Sequence, residues 1–451
     1  MNENRVCASF RDPAGYVFEK DSQIFRRIMP AGVSDYERFI RSGLAEQLLR
    51  DKSLVPFKEI SRKEGNITLE LEKMPFISYP YEWSFSQLRD AALLTLRIMR
   101  QALEHGMVLK DASAFNIAFQ NGRPIFLDHT SFTAYRENEP WRAYRQFAMH
   151  FLAPLLLMKK VDLRSLAYFR TDLGGIPLDL ASRLLPVSSW LNPGILIHIH
   201  LHGKLDQYYS SDGKAHRNPV MSKKQLENMI LSLEDFTSGL RISGQKTQWA
   251  DYYEKNSYEA ASLKFKNLQV ENFCREIAPK TTLDLGANTG FFSETAALYS
   301  KSVIAADIDP QAVEQLYRLN RDKIPHLQPV LLDLNNPTPD TGVFNEERQS
   351  FLSRCRSDLV LGLALIHHLR ITGNWTIEQI VRLFAQTGQH ALVEFVPLDD
   401  IQVRRLIRGR ETLFDDWTLD AVTNGFRKEF RRMETVTIPG CTRTMIKLHK
   451  N

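Results

Sequence analysis

The spacing of apolar positions changes character once along this chain of 451 residues. Near the N-terminus, "YVFEKDSQIFRRI" holds two alternating runs on either side of Lys20-Asp21-Ser22, the pattern of a β-hairpin. "SDYERFIRSGLAEQLLRDK" then repeats its apolar positions at helical spacing, with Ser34 or Asp35 placed as N-cap and Glu37 soon after. "NITLELEKM" reads as a strand, and "SFSQLRDAALLTLRIMRQALEHG" as a long amphipathic helix stopped by Gly106. Residues from about 135 to 240 read as mostly helical. The most apolar stretch, "FAMHFLAPLLLMKK", is interrupted by Pro154. It falls short of the roughly 20 apolar residues that cross a bilayer, so it predicts a buried helix and no membrane span. In "LIHIHLHGK", His198, His200 and His202 would share one face of a strand and diverge on a helix, and packing is expected of them rather than metal binding.

The rhythm breaks near "FTSGLRISGQKTQ". Beyond it short apolar runs ("TTLDLG", "SVIAAD", "PVLLD", "SDLVLGLAL", "HALVEFV") alternate with helical stretches. That alternation predicts an α/β doubly wound parallel sheet. Two domains are expected, 1–243 and 244–451.

The strongest chemical signal lies in "TTLDLGANTGFFSETAALYS", a strand that turns through Gly286 and Gly290 into a helix. Dinucleotide sites favour G-x-G-x-x-G, which sets a pyrophosphate against the helix N-terminus. Here the pattern is D-x-G-x-x-x-G, with Asp284 at the turn. A carboxylate there repels pyrophosphate and favours a cationic amino-acid moiety. The next strand ends in Asp307, about twenty residues on, where a carboxylate accepts ribose hydroxyls. The third ends in Asp333, in position to accept from an adenine amino group. Helix capping explains one such Asp, but three in register with the Gly turn form a constellation.

From about residue 249 onward the chain resembles the class I S-adenosylmethionine-dependent methyltransferases. "LDLGANTGFF", "AADID", "LLDL" and "SDLVLGLALIHHL" are similar to their first four motifs. The resemblance implies a Rossmann-like seven-stranded sheet closed by the hairpin "RMETVTI"/"TRTMIKLHK". It implies that Asp284, Gly286, Asn288 and Gly290 carry the methionine end of the cofactor, Asp307 the ribose and Asp333 the adenine. Methyl transfer is an in-line displacement at carbon that needs alignment and dryness, and a base only if the acceptor loses a proton. His367, His368 and Glu394 are the candidate bases, each also explicable as packing or capping. Trp249, Tyr252 and Tyr258 precede the first strand and are placed either as a lid or as core.

The first domain carries "EHGMVLKDASAFNIAFQNGRPIFLDHTSF". Asp111 and Asn116 are spaced as a carboxylate and an amide of one loop, and a short hairpin follows, ending in Asp128. Helix, loop, hairpin and acid in this order resemble the C-lobe of an α+β protein-kinase-like fold, in which the first acid orients the acceptor and the amide and second acid hold Mg²⁺ on ATP. An active site of that kind implies ATP and Mg²⁺ bound at Asn116 and Asp128. Yet Leu109 and Lys110 stand in place of His-Arg, "DHT" in place of Asp-Phe-Gly, and Arg26 or Arg27 in place of the phosphate-anchoring Lys, with Glu37 or Glu46 as its helix partner. A degenerate kinase-like module is therefore the expectation for 1–243.

Composition narrows the partners. Lys plus Arg number 58 against 53 Asp plus Glu, a net charge of +5 that does not argue for nucleic acid. The four Cys are far apart and lack a CxxC pair, so neither a disulfide framework nor a zinc site is indicated, and a reducing cytoplasm is the expected location. Taken whole, through "LALIHHL" and "EFVPLDD…VRRL…FDDWTLDAV", the chain is similar to a methyltransferase-like bacterial family that includes a rhizobial host-specificity nodulation protein. The expected function is methyl transfer from S-adenosylmethionine to a glycan or small-metabolite acceptor. The alternatives are a bifunctional kinase/methyltransferase and a non-catalytic cofactor-binding scaffold.

Overall fold

In a computed structural model that describes residues 3–204, 220–242 and 260–450, the chain divides into two compact units. The first is Met1–Ser243 with Asp340–Gln349, the second Gly244–Pro339 with Ser350–Asn451. Residues 340–349 fold with the first unit. Glu347 there takes both Nε and Nη2 of Arg11, each at 3.0 Å, and Arg348 stacks on Phe115 at 4.4 Å. Trp249, Tyr252 and Tyr258 lie outside the described residues.

In the first unit β1 (Asn4–Arg5), β2 (Gly15–Lys20), β3 (Gln23–Ile28), β4 (Phe57–Lys63) and β5 (Asn66–Leu71) form an antiparallel sheet in the order β1-β2-β3-β5-β4. The hairpin between β2 and β3 turns on Asp21 and Ser22, both at positive φ, the twist a two-residue connection needs. Helix α1 (Pro30–Arg41) starts at Pro30, before the expected Ser34/Asp35 cap. Pro favours the first helical position because its missing N–H is unpaired there anyway. Asp35 therefore points from the helix body, to Lys110 (3.2 Å) and Thr133 (3.0 Å). After α2 (Leu44–Arg50) comes α3 (Phe85–Glu104), opened by a Ser84/Gln87 capping box and buried along its apolar stripe. Two small antiparallel pairs follow: β6 (Met107–Leu109) with β9 (Phe132–Ala134), and β7 (Ile117–Gln120) with β8 (Arg123–Phe126). They hold the segments 110–116 and 127–131 side by side, with Leu127 N–H bonded to the Asn116 carbonyl at 2.8 Å. His198 and His200 sit on a helical segment, Leu196–Leu201. His198 bonds Tyr144 (2.7 Å), and His200 lies between Ser182 and Ser189 and stacks on Trp190. These rings pack; they do not converge.

The second unit is one seven-stranded sheet: β10 (Thr281–Leu285), β11 (Ser302–Asp307), β12 (Leu327–Leu331), β13 (Ser357–Gly362), β14 (Gly388–Phe395), β15 (Arg432–Thr437) and β16 (Thr444–His449), ordered β12-β11-β10-β13-β14-β16-β15. The first five in that order are parallel, and β16 is antiparallel to both neighbours. Strands buried on both faces read as continuous apolar runs, which is why Leu283, Leu285, Val303, Leu359, Leu361 and Leu392 are all fully covered. The chain reverses its winding between β10 and β13, and at such a switch point the loops leaving the strand ends part to form a crevice. No described helix is long and apolar enough to cross a membrane.

Candidate functional site

The crevice of the second unit is built by three strand ends. After β10, Gly286 takes φ +74° and Gly290 φ +90°, a region that side chains rarely adopt. A Cβ on Gly290 would come within 2.3 Å of Leu316 Cδ1. Asn288, at φ +51°, donates its backbone N–H to Asp307 Oδ2 (2.7 Å), while Asp309 N–H donates to Oδ1 (2.8 Å). Asp307 thereby ties the first turn to the end of β11. Burial raises its carboxyl above the usual range, although those amides oppose the shift.

Gly286, Asn288, Asp307, Asp333, Leu365 and His368 line a cavity of about 370 Å³ whose remaining wall is largely leucine. Asp333 is half-buried there and accepts Asn335 N–H at 2.9 Å. Two expected cofactor residues stand back from the wall. Gly290 shapes the turn from behind. Asp284 is buried under it and accepts from Ser293 Oγ at 2.6 Å. Burial, with Asp307 nearby, pushes the Asp284 carboxyl up to about 7.

The candidate bases separate in the same way. His368 faces the cavity, and burial holds its imidazole down at about 4, so it is neutral at pH 7. His367 is turned into the core, its Nδ1 without a hydrogen-bond partner among the described residues and its pKa depressed well below the usual value by burial. Glu394 is off the wall and fully buried. Its carboxylate receives Lys266 Nζ (2.6 Å), Arg443 Nη1 (3.4 Å) and the backbone N–H of Ala364 (2.8 Å). It holds Ala364, which lines the cavity at a left-handed φ of +49°. Lys266 lies outside the quoted motifs and Arg443 only within the closing hairpin, so nothing in the chain's pattern singled them out as partners of Glu394. Acids at two strand ends, a turn open to backbone approach and a leucine wall suit a cationic, ribose-bearing, aromatic cofactor, and S-adenosylmethionine fits that set.

The first unit has its own cleft, of about 1380 Å³, with Asp111, Asn116 and Asp128 on its wall. The structure brings these three together. Burial and the Asp128 charge raise the Asp111 carboxyl, while hydrogen bonds from Ser113, Asn116 and Gln146 oppose the shift. Asn116 Nδ2 also reaches Ser131 Oγ at 3.3 Å. Arg26, not Arg27, enters the cleft: Arg27 pairs with Glu3. Arg26 does not meet Glu37 or Glu46, which pair with Arg41, Arg62 and Arg50 at the surface. Its Nη1 lies 2.6 Å from Asp128 Oδ1. Burial alone would raise the Asp128 carboxyl, but Arg26 and the hydroxyls of Ser131 and Thr130 outweigh it and hold it at about 2. His129 packs edge-on to Phe57 and bonds the Val55 carbonyl, a core role. Mg²⁺ calls for near-octahedral oxygen ligands. Asp128 is already paired with a guanidinium, and no group of three metal-ligating side chains exists among the described residues. The residues present do not fit the ion.

Comparison with known proteins adds the following. No protein-family model matches the chain. Nodulation protein NoeA of Rhizobium meliloti strain 1021 is 34% identical over 460 residues, spanning 98% of this chain and 95% of that protein. Among solved structures, the N-methyltransferase NodS from Bradyrhizobium japonicum WM9 in complex with S-adenosyl-L-homocysteine is 13% identical with a TM-score of 0.33, over 45% of this chain and 96% of that one. The bifunctional kinase-methyltransferase WbdD is 13% identical with a TM-score of 0.32, over 48% of this chain and 45% of that one. Likenesses this distant carry no weight for fold or chemistry, which stand on the strand order and the side chains above.

Proposed function

The chain belongs to the family of the nodulation protein NoeA, and on that premise we propose that its second unit is an S-adenosylmethionine-dependent methyltransferase acting on a glycan or other small hydroxylated acceptor. The observation that carries the reading is the cavity at the β10/β13 switch point, with Asp307 and Asp333 at successive strand ends beside the Gly286 turn. When bound, the cofactor supplies an electrophilic methyl group on a sulfonium that leaves readily. Asp307 would accept the ribose hydroxyls and Asp333 the adenine amino group. Gly286 and Asn288 let the backbone approach the methionine end. Asp284, behind the turn with its carboxyl raised by burial, would add negative charge beneath a cation when ionised. Leu365 and its apolar neighbours exclude water. His368, on the cavity wall, would be the candidate to take a proton from an acceptor hydroxyl or amine.

The first unit is read as a degenerate kinase-like module that binds an acceptor or partner through the Asp111–Asn116 cleft. A phosphotransfer step is not favoured, because Arg26 occupies the carboxylate that such a step would assign to the metal. Calorimetry tests the methyltransferase reading: S-adenosylmethionine binds the native chain, and Asp307→Ala weakens it by ~10- to 100-fold, the worth of one or two hydrogen bonds to a charged group. Absent binding, or equal binding by the variant, would sink it. Labelled methyl transfer in cell extract then separates enzyme from scaffold, since a scaffold binds the cofactor but never yields S-adenosylhomocysteine.

A further inference from the structure

Asp128, two residues beyond β8, is closely paired from within the chain. Asp128 Oδ1 receives Arg26 Nη1 at 2.6 Å and the backbone N–H of Thr130 at 3.0 Å. Thr130 Oγ1 lies 2.6 Å from the same oxygen and 2.7 Å from Asp12 Oδ2, and Ser131 Oγ donates to Oδ2. A carboxylate offers about four acceptor sites, so little of Asp128 remains for a ligand. Arg26 is 7% exposed. Its other contacts run to the same cluster: Nη1 to Thr130 Oγ1 at 2.9 Å and to Asp12 at 3.9 Å. Its Nε is buried without a hydrogen-bond partner among the described residues. The amide nitrogen of Asn116 is engaged by Ser131 and Asp111.

We propose that Arg26 is a resident cation that takes, on Asp128, the place of a divalent metal, so that the cleft of the first unit binds its ligand without one. A guanidinium cannot lose its charge at any physiological pH, whereas a lysine there could. Removing one partner of a buried pair leaves the other charge uncompensated. A divalent ion that displaced Arg26 would strand that guanidinium in the cleft wall, which lowers metal affinity by on the order of 100-fold or more. The inference concerns the first unit alone and holds whether or not the second unit transfers methyl groups.

Mn²⁺, which stands in for Mg²⁺ and is read by its paramagnetic resonance signal, tests it on the full chain. The native protein and Asp128→Asn should show the same Mn²⁺ isotherm. Arg26→Gln, which frees the carboxylate, should gain one site per chain, bound on the order of 100-fold tighter than anything the native cleft offers. That site should vanish in Arg26→Gln/Asp128→Asn, and Arg26→Lys, which keeps a cation, should gain less. A Mn²⁺ site in the native chain that Asp128→Asn abolishes overturns the proposal, as does a folded Arg26→Gln that gains none. If Arg26→Gln does not fold, the comparison of the native chain with Asp128→Asn decides: identical isotherms support the resident cation, and a lost site refutes it.

Discussion

Replacing Glu394 separates two roles that the sequence left open, base and scaffold. The carboxylate is 0% exposed, with Lys266 at 2.6 Å and Arg443 at 3.4 Å. At an effective dielectric near 20 those distances correspond to gross attractions of about 6 and 5 kcal/mol. Desolvation of all three groups offsets most of that. What survives removal of one partner is ~3–5 kcal/mol, because Lys266, itself 3% exposed, is left as an uncompensated buried charge. Arg443 keeps Asp400 at 2.8 Å. In a unit of this size the loss lowers Tm by roughly 6–20 °C. Glu394→Gln still offers an oxygen to Ala364 N–H, so the cavity loop stays in place below that temperature. Thermal unfolding followed by circular dichroism should show the fall, while single-turnover methyl transfer well below Tm stays within a few-fold of native. Lys266→Met/Glu394→Met removes both charges and should recover much of the loss, as apolar replacement of buried pairs does. A Glu394→Gln protein with native Tm and abolished transfer would refute the structural role and restore Glu394 as base.

Three further outcomes follow from the same unit. The Asp284 carboxyl is raised to about 7 from 3.8, so the native state binds its proton more tightly than the unfolded chain, and stability should fall as pH rises from about 4 to about 7; urea midpoints at both ends should differ less in Asp284→Asn than in the native protein. Gly290→Ala meets Leu316 at 2.3 Å and a φ of +90°, and should lose ~1–3 kcal/mol in denaturant unfolding and weaken cofactor binding through the displaced turn. With His368 held at about 4, the pH profile of kcat should lack an imidazole inflection between 6 and 8; His368→Gln should lower kcat without changing cofactor affinity, and an inflection near 6.5 that this variant removes would show a normally titrating ring instead.

Much of this molecule was legible in the chain because its information is local. Apolar runs of five or six residues between helical stretches announce a parallel sheet buried on both faces, and the turn "LGANTG" puts Gly286, Asn288 and Gly290, residue types suited to it, at positive φ. Asp307 and Asp333 were readable because a carboxylate at a strand end follows from strand length alone. The Asp111–Asn116 pair was readable for the same reason, being six residues of one loop. What the chain could not declare is which distant side chains close on these groups. Lys266, Arg443 and Glu394 are separated by 128 and 49 residues, and only sheet packing buries them together. Asp284 and Gly290 belong to the cofactor motif, yet folding sets them behind the cavity wall. Residues 340–349 sit between two strands of the second unit in sequence but fold with the first. Arg26 and Asp128 lie 102 positions apart, and whether the acid meets a metal or a guanidinium depends on the few ångströms that β3 and the β8 turn leave between them. Backbone propensity and pattern act over neighbours and so are written in order along the chain. Charge pairing acts through space, and tertiary structure alone decides it.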